Sequence, residues 1–246
     1  MKIESLWTYP VKSCAGTQHQ KIEVTRGGFK WDRHWMIVDE KGHFLTQRQL
    51  PKMALIRTQL TDTALILEID NYIFEVPFKK ELKESCQVKV WKSEVEALLE
   101  DPLIDQQLSV FLERPARLVR SPKSQRQYDI DFADGRPLQL ANMESLKEFN
   151  QQLSKPITMD RFRANIVVSG LPAFTEDHLT DFTLGQIQLQ FSKLCARCNI
   201  INVDPKTGIR NNSEPLEKLK AFHPVGNQAI FGALLVPKNT GTLHLD

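Results

Sequence analysis

Over the first ninety residues the apolar positions fall in short β-branched and aromatic runs, at 5–9, 21–24, 34–38, 43–46, 54–60, 65–69, 72–76 and 87–91. Gly, Pro and Asp separate them, which predicts a succession of strands. Asp39-Glu40-Lys41-Gly42 and Asp70-Asn71 sit between runs where hairpin turns belong. Further along, the spacing changes to a helical one. Leu103, Ile104, Leu108, Phe111 and Leu112 predict a helix over Pro102–Leu112, with Asp101 as its N-cap and Pro115 beyond its end. A second helix is predicted from the cap Asn142 through Met143, Leu146, Phe149 and Leu153, closing before Pro156. A third, shorter helix starts near Ser213 and carries Leu216, Leu219 and Phe222. Strands at 165–169, 186–191, 199–203 and 229–236 are interleaved with these. The class read from this pattern is α+β and β-rich, with a few short helices.

Composition narrows the field mostly by exclusion. With 246 residues and 41% hydrophobic content the chain is long and apolar enough to bury a core, so disorder is not expected. No apolar run approaches the roughly 20 residues of a membrane helix, and charge interrupts the opening Met1-Lys2-Ile3-Glu4-Ser5-Leu6-Trp7, so neither a membrane span nor a secretory signal is expected. Four cysteines, Cys14, Cys86, Cys195 and Cys198, suit a reducing compartment, and a cytoplasmic location follows as the expectation. The net charge of +2 argues against nucleic acid as a partner.

That small total conceals a gradient. Residues 1–60 hold ten Lys or Arg against five Asp or Glu, and residues 61–119 hold seven against twelve. A domain boundary is read at 113–128, where Arg114, Arg117, Arg120, Lys123 and Arg126 recur every third residue and prolines interrupt any helix. The division expected is 1–113 and 114–246. The connector reads as a solvated, mobile linker, with an anionic ligand or partner as the alternative use of its charge.

Candidate chemistry is concentrated in a few segments. Leu194-Cys195-Ala196-Arg197-Cys198-Asn199 carries a sulfur pair, followed by the turn-like Asp204-Pro205-Lys206-Thr207-Gly208. Such a pair offers half a zinc site, a redox pair, or a single thiolate ligand. A closed four-cysteine zinc site is disfavoured because the other cysteines are distant singletons, and a thioredoxin-type pair is disfavoured because a strand, not a helix, is predicted to follow. A single thiolate beside Arg197 fits better, since a guanidinium lowers a thiol's pKa and also holds anions. Two buried cysteines near a strand are the plain structural alternative. Lys12 and Ser13, in Pro10-Val11-Lys12-Ser13, offer an ammonium and a hydroxyl to a phosphate. Arg33 lies between aromatics in Trp31-Asp32-Arg33-His34-Trp35, and Arg161-Phe162-Arg163-Ala164-Asn165 leads into an apolar strand.

In their order, these segments resemble the MOSC family. They are P-V-K-S near the start, D-R between aromatics, F-A-D-G-x-P at 132–137, R-F-R-x-N at 161–165, and C-x-R-C with a D-P-x-T-G tail. The resemblance spans nearly the whole chain and is to the two-part members, with an N-terminal β-barrel region and a C-terminal MOSC β-barrel domain. It implies a pterin-based molybdenum cofactor bound between the two parts, with Cys198 as the protein's thiolate ligand to the metal. Lys12, Ser13, Arg33, Arg163 and Asn165 fall on cofactor-binding positions of the family, as do Ala196 and Arg197. Asp134, Gly135 and Arg136 match its loop near metal and pterin, with Asp134 also in a catalytic position. Many relatives have Ser where this chain has Ala196 and Pro where it has Ala164, so one hydroxyl contact is lost.

The activity implied by the resemblance is two-electron reduction of small N-hydroxylated substrates, amidoximes and N-hydroxylated bases, to the amine-type product and water. The chain carries no further cysteines after Cys198 for an iron–sulfur cluster, so a separate electron-transfer protein is expected, ferredoxin-like or a haem protein with a flavin reductase. Two other classes stay open: a molybdenum-cofactor carrier or sulfurtransferase bearing a persulfide on Cys195 or Cys198, and a non-catalytic barrel that binds a protein partner.

Overall fold

A computed structural model describes residues 1–123, 126–210 and 213–245. The architecture is α+β and rich in strands, with three α-helices among the described residues: α1 (Pro102–Leu112), α2 (Met143–Asn150) and α3 (Glu214–Phe222). Local signals explain their limits. The Asp101 side chain accepts from Leu103 N at 3.0 Å and Pro102 opens α1, whose Ile104, Leu108 and Leu112 are buried. The Asn142 side chain accepts from Glu144 N at 3.2 Å and starts α2, which ends short of Leu153. At α3 the Ser213 hydroxyl donates to Glu217 Oε1 at 2.6 Å and caps no backbone N–H.

The largest sheet runs Phe182–Leu184, Ile187–Ala196, Gln228–Pro237, Leu138–Asn142, Ile166–Ser169, Lys2–Thr8 and Thr17–His19 in spatial order. Leu138–Asn142 and Ile166–Ser169 pair in parallel, with α2 in the connection between them, as a parallel pair requires a crossover. The chain's first strand therefore lies inside a sheet built mainly from its second half. A second sheet, in the order Trp35–Val38, Arg117–Arg120, Ser93–Leu99, Ser85–Val90, and a three-stranded meander, Arg57–Leu60, Ala64–Ile69 and Tyr72–Pro77, enclose Trp35, Ile37, Met53, Leu65, Leu67 and Leu108. Phe149, Phe162 and Phe231 fill a separate core beneath α2 and α3.

Four local expectations change. Residues 43–46 form only isolated bridges, Phe44 with Val38 and His43 with Lys89. Pro51 opens a 3-10 turn, Pro51–Leu55, so the strand expected at 54–60 is shortened to Arg57–Leu60. Residues 199–203, read as a strand, form the 3-10 turn Asn199–Asn202 followed by the short strand Val203–Asp204. Ile201 of that turn is buried in the core with Leu219 of α3, and Asn202 Oδ1 accepts from Leu216 N at 3.0 Å, so this apolar run packs against a helix. The basic connector holds a strand in place of a solvated linker. Arg117–Arg120 pairs with Trp35–Val38 and Ser93–Leu99, and Arg120 is only 5% exposed. No helix among the described residues is long and apolar enough to cross a membrane.

Candidate functional site

Three segments distant in sequence are joined by backbone hydrogen bonds around Arg33. Its N–H donates to the Tyr9 carbonyl at 2.9 Å and its carbonyl accepts from Phe132 N at 3.0 Å. Lys12 and Ser13 follow the first of these contacts and Asp134 follows the second. Asn165 fastens the C-terminal sheet to the same place. Its amide donates to the Trp7 carbonyl at 3.1 Å and its Oδ1 accepts from Gln139 N at 3.1 Å, so both polar ends are taken by backbone. Ser13, Arg33 and Arg163 have φ of 66°, 51° and 55°. Left-handed backbone at residues other than glycine costs on the order of 1 kcal/mol or more each and gathers at functional sites.

These segments surround a cavity of about 340 Å³ lined by every site residue expected from the sequence. They are Lys12, Ser13, Arg33, Asp134, Gly135 and Arg136 from one side of the list of motifs, and Arg163, Asn165, Ala196, Arg197 and Cys198 from the other. Cys195 lines it as well. The structure adds Thr46, Arg48, Gln139 and Lys193, among others, which the motifs do not mark. Thr46 and Arg48 follow the isolated bridges of His43 and Phe44 in a stretch with no periodic pattern, and Lys193 sits at an irregularity of its strand, so only tertiary placement reveals them. Seven cationic side chains, Lys12, Arg33, Arg48, Arg136, Arg163, Lys193 and Arg197, thus face a single lining carboxylate, Asp134.

The charges are individually held. Lys12 is buried, donates to the Phe132 carbonyl at 2.8 Å and pairs with Asp134 Oδ1. Burial lowers the Lys12 pKa, and the Asp134 carboxylate works against that shift. At Asp134, partial desolvation is outweighed by the Lys12 ammonium and by a 2.9 Å hydrogen bond from Trp91 Nε1, leaving its pKa well below the usual carboxylate range. Arg33 pairs with Asp32, and its guanidinium lies 4.5 Å from the Tyr9 ring centre. Arg163 lies 4.2 Å from the same ring and donates to the Cys14 carbonyl at 2.7 Å. Burial pushes the Tyr9 phenol up to about 12 and brings Arg163 down to about 10, so at neutral pH the phenol keeps its proton and the Arg163 guanidinium its charge.

The sulfur pair divides in two. Arg197 Nη1 donates to Cys195 Sγ at 2.9 Å and its Nη2 to the Phe162 carbonyl at 2.5 Å. The guanidinium therefore contacts Cys195, the inner cysteine of the pair. Cys198 is exposed, in extended backbone ahead of the 3-10 turn. Arg136 donates to Ser192 Oγ at 2.6 Å and stacks 4.4 Å from the Tyr128 ring centre. A Cβ placed on Gly135 would meet no atom within 4 Å, so that position borders open space. Two buried polar atoms of lining residues, Thr46 Oγ1 and Arg197 Nε, have no hydrogen-bond partner among the described residues.

A strand-rich α+β fold that converges a free thiol, two orphaned donors and seven cations on one cavity defines a site for an anionic ligand that a soft sulfur can also hold. Residues 1–115 match the MOSC N-terminal beta barrel domain and residues 127–246 match the MOSC domain, and the chain belongs to the MOSC family in this two-part form. It is 30% identical over 273 residues to mitochondrial amidoxime-reducing component 1 of Mus musculus, covering 99% of this chain and 80% of that protein. Over 242 residues it is 30% identical to mitochondrial amidoxime reducing component 2 of Rattus norvegicus, covering 89% of this chain and 72% of that protein. Among solved structures, the YUAD protein from Bacillus subtilis aligns with a TM-score of 0.43 at 14% identity, covering 99% of this chain and 91% of that one.

Proposed function

We propose that the protein is a molybdenum-cofactor-dependent reductase of N-hydroxylated compounds, supplied with electrons by a separate electron-transfer protein. The observation that carries this reading is the single cavity in which cations from six separated segments meet the exposed thiol of Cys198. Its donor set fits a phosphorylated pterin bearing a soft metal. Lys12, Arg33, Arg163 and Arg197 are cations suited to phosphate, and Ser13 brings a hydroxyl with no partner among the described residues. The orphaned Thr46 Oγ1 and Arg197 Nε are groups whose burial is costly until a ligand bonds them. Gly135 borders open space and Ala196 brings only a methyl group to the lining.

In this reading Cys198 Sγ is the protein ligand to molybdenum, and Asn165 acts by holding the Trp7 and Gln139 backbones in register. The bound cofactor supplies the two-electron chemistry that cleaves the substrate N–O bond to an amine-type product and water. The protein's part is to bind, orient and hold protons. Asp134 stays anionic at neutral pH and gives the cavity one acceptor, and Lys12 Nζ is held against it and the Phe132 carbonyl. Arg33 and Arg163 are braced against the Tyr9 ring, 4.5 and 4.2 Å from its centre, where they can meet an anion.

The test is molybdenum and pterin analysis of protein made in a cofactor-competent host, followed by turnover of benzamidoxime with a chemical electron donor. Stoichiometric molybdenum with N-reductive turnover is expected. Bound molybdenum without such turnover overturns the reading. A second reading, a cofactor carrier or sulfurtransferase, draws on the Arg197 contact to Cys195 Sγ, which would stabilise a persulfide anion. A persulfide on either cysteine, found by mass spectrometry in protein without turnover, favours it.

A further inference from the structure

Beside the cavity, around its lining residues Arg48 and Asp134, lies an arrangement that the phosphate-suited cations Lys12, Arg33, Arg163 and Arg197 do not account for. Trp91 begins the two-residue loop that closes the hairpin of Ser85–Val90 and Ser93–Leu99, with Ser93 opposite Val90. Its φ is 56°, a left-handed conformation that a bulky residue rarely adopts. It is the only exposed tryptophan among the described residues, at 45%. Its indole N–H donates to Asp134 Oδ1 at 2.9 Å, and the Phe44 ring packs at 5.2 Å in a T-shaped contact, so the ring is fixed in orientation. Lys12 pairs with the same Asp134 oxygen, which leaves Oδ2 with no partner among the described residues on a side chain 64% exposed.

Arg48 completes the arrangement. Its guanidinium carbon lies 4.6 Å from the Trp91 ring centre, and the side chain makes no hydrogen bond or ion pair among the described residues. It is held by stacking alone, so its displacement breaks no polar bond. A guanidinium is a planar, delocalised N–C–N cation, and an amidine presents the same plane, charge and paired N–H groups. The protein thus holds one of its own side chains where a planar N–C–N ligand would stack, over a ring whose N–H bonds a carboxylate with an open oxygen, an acceptor that such N–H groups bond well.

We propose that Trp91 and Asp134 form a recognition subsite for planar N–C–N head groups, with Arg48 as its displaceable occupant. The subsite selects amidine-, guanidine- and aminopyrimidine-like compounds over N-hydroxylated compounds that lack the plane. Its role in choosing substrates rests on the reductase reading; its capacity to bind does not. Trp91 sets specificity through the stacking face and Asp134 Oδ2 accepts the N–H.

Benzamidine and benzylamine separate shape from charge, since both are aryl cations and only benzamidine has the N–C–N plane. They are titrated into the purified protein by calorimetry and by tryptophan fluorescence, which Trp91, as the exposed indole, reports. Benzamidine is expected to bind about tenfold tighter than benzylamine, Trp91→Ala to lose about tenfold in benzamidine affinity, and Trp91→Phe to stay within about threefold of the unaltered protein. Arg48→Ala is expected to tighten benzamidine binding, which a purely structural Arg48 would not do. Equal affinities for the two amines, an unchanged Trp91→Ala, or weaker binding in Arg48→Ala overturns the proposal. Planar-cation binding in protein that shows no N-reductive turnover overturns the reductase reading and leaves the subsite standing. Turnover without a planar preference does the reverse.

Discussion

Arg197 Nη1 lies 2.9 Å from Cys195 Sγ, while Cys198, three residues on, is exposed. The two sulfurs of one short motif therefore have different surroundings, one buried against a guanidinium and one open to the cavity. Access outweighs the charge of Arg197 for a bulky reagent, so in cofactor-free protein iodoacetamide is expected to modify Cys198 at least about tenfold faster than Cys195, read by peptide mass spectrometry. Cys198→Ser should lose molybdenum and Cys195→Ser should retain it. Unchanged metal in Cys198→Ser would remove that residue as the ligand.

Lys12 and Asp134 give a stability that depends on pH. The folded pKa of Asp134 is depressed, so its pairing stabilises the fold above the unfolded carboxylate value of about 4 and is lost as pH falls through the folded value. Asp134→Asn leaves the Lys12 ammonium buried without a counter-charge and should lower stability by about 1–3 kcal/mol at pH 7. Thermal unfolding should show this gap begin to close below about pH 4, where the carboxylate of the unfolded chain protonates, and close fully only as pH falls through the lower folded value. Lys12 has a lowered folded pKa, so the cost of its charge is relieved as pH rises toward the unfolded value of about 10. Asp134→Asn should accordingly recover part of the gap as pH rises toward that unfolded value, and a gap that stays flat from pH 4 upward to about 10 would contradict this.

Asn165 is a tie between strands. Asn165→Ala leaves the Gln139 N–H and the Trp7 carbonyl without their side-chain partner, at a cost of about 2–4 kcal/mol. Asn165→Asp keeps the acceptor for Gln139 and loses the donor to Trp7, and should fall between the two. Urea unfolding orders the three proteins.

Glu100 and Arg120 form a buried ion pair at 2.6 Å, with side chains 1% and 6% exposed. Trp35 Nε1 donates to the same Glu100 oxygen at 2.8 Å, and Arg120 reaches the Pro77 and Phe78 carbonyls at 2.8 and 3.0 Å. Arg120→Met strands the carboxylate and should cost about 3–5 kcal/mol. Adding Glu100→Leu to it should restore stability relative to the single variant, because an apolar pair removes the stranded charge. A double variant less stable than the single one would show that the pair itself carries the energy.

Much of the fold was legible where local chemistry and periodicity agree. Helix α1 occupies the predicted residues because Asp101, Pro102 and the spacing of Ile104, Leu108 and Leu112 all act within the segment. The run at 199–203 misled for the opposite reason: β-branched residues signal burial, and whether a strand or a helix provides it depends on α3, which lies elsewhere in the chain. Arg120 misled in the same way, since a cation spaced among other cations gives no sign that Glu100 waits in the core.

For the site, the sequence alone determined which groups are present: the cations Lys12, Arg33, Arg163 and Arg197, the carboxylate Asp134 and the thiols of Cys195 and Cys198. It could do so because the motifs are contiguous and their turns are local. Which sulfur Arg197 touches, which oxygen of Asp134 is left open, and the presence of Thr46, Arg48 and Trp91 beside them were decided only by the tertiary structure. All but the first of those relations join residues tens to more than a hundred positions apart. The physical reason is that a side chain's charge and polarity are written in its own residue, whereas the neighbour that neutralises, orients or displaces it is set by how the sheets pack.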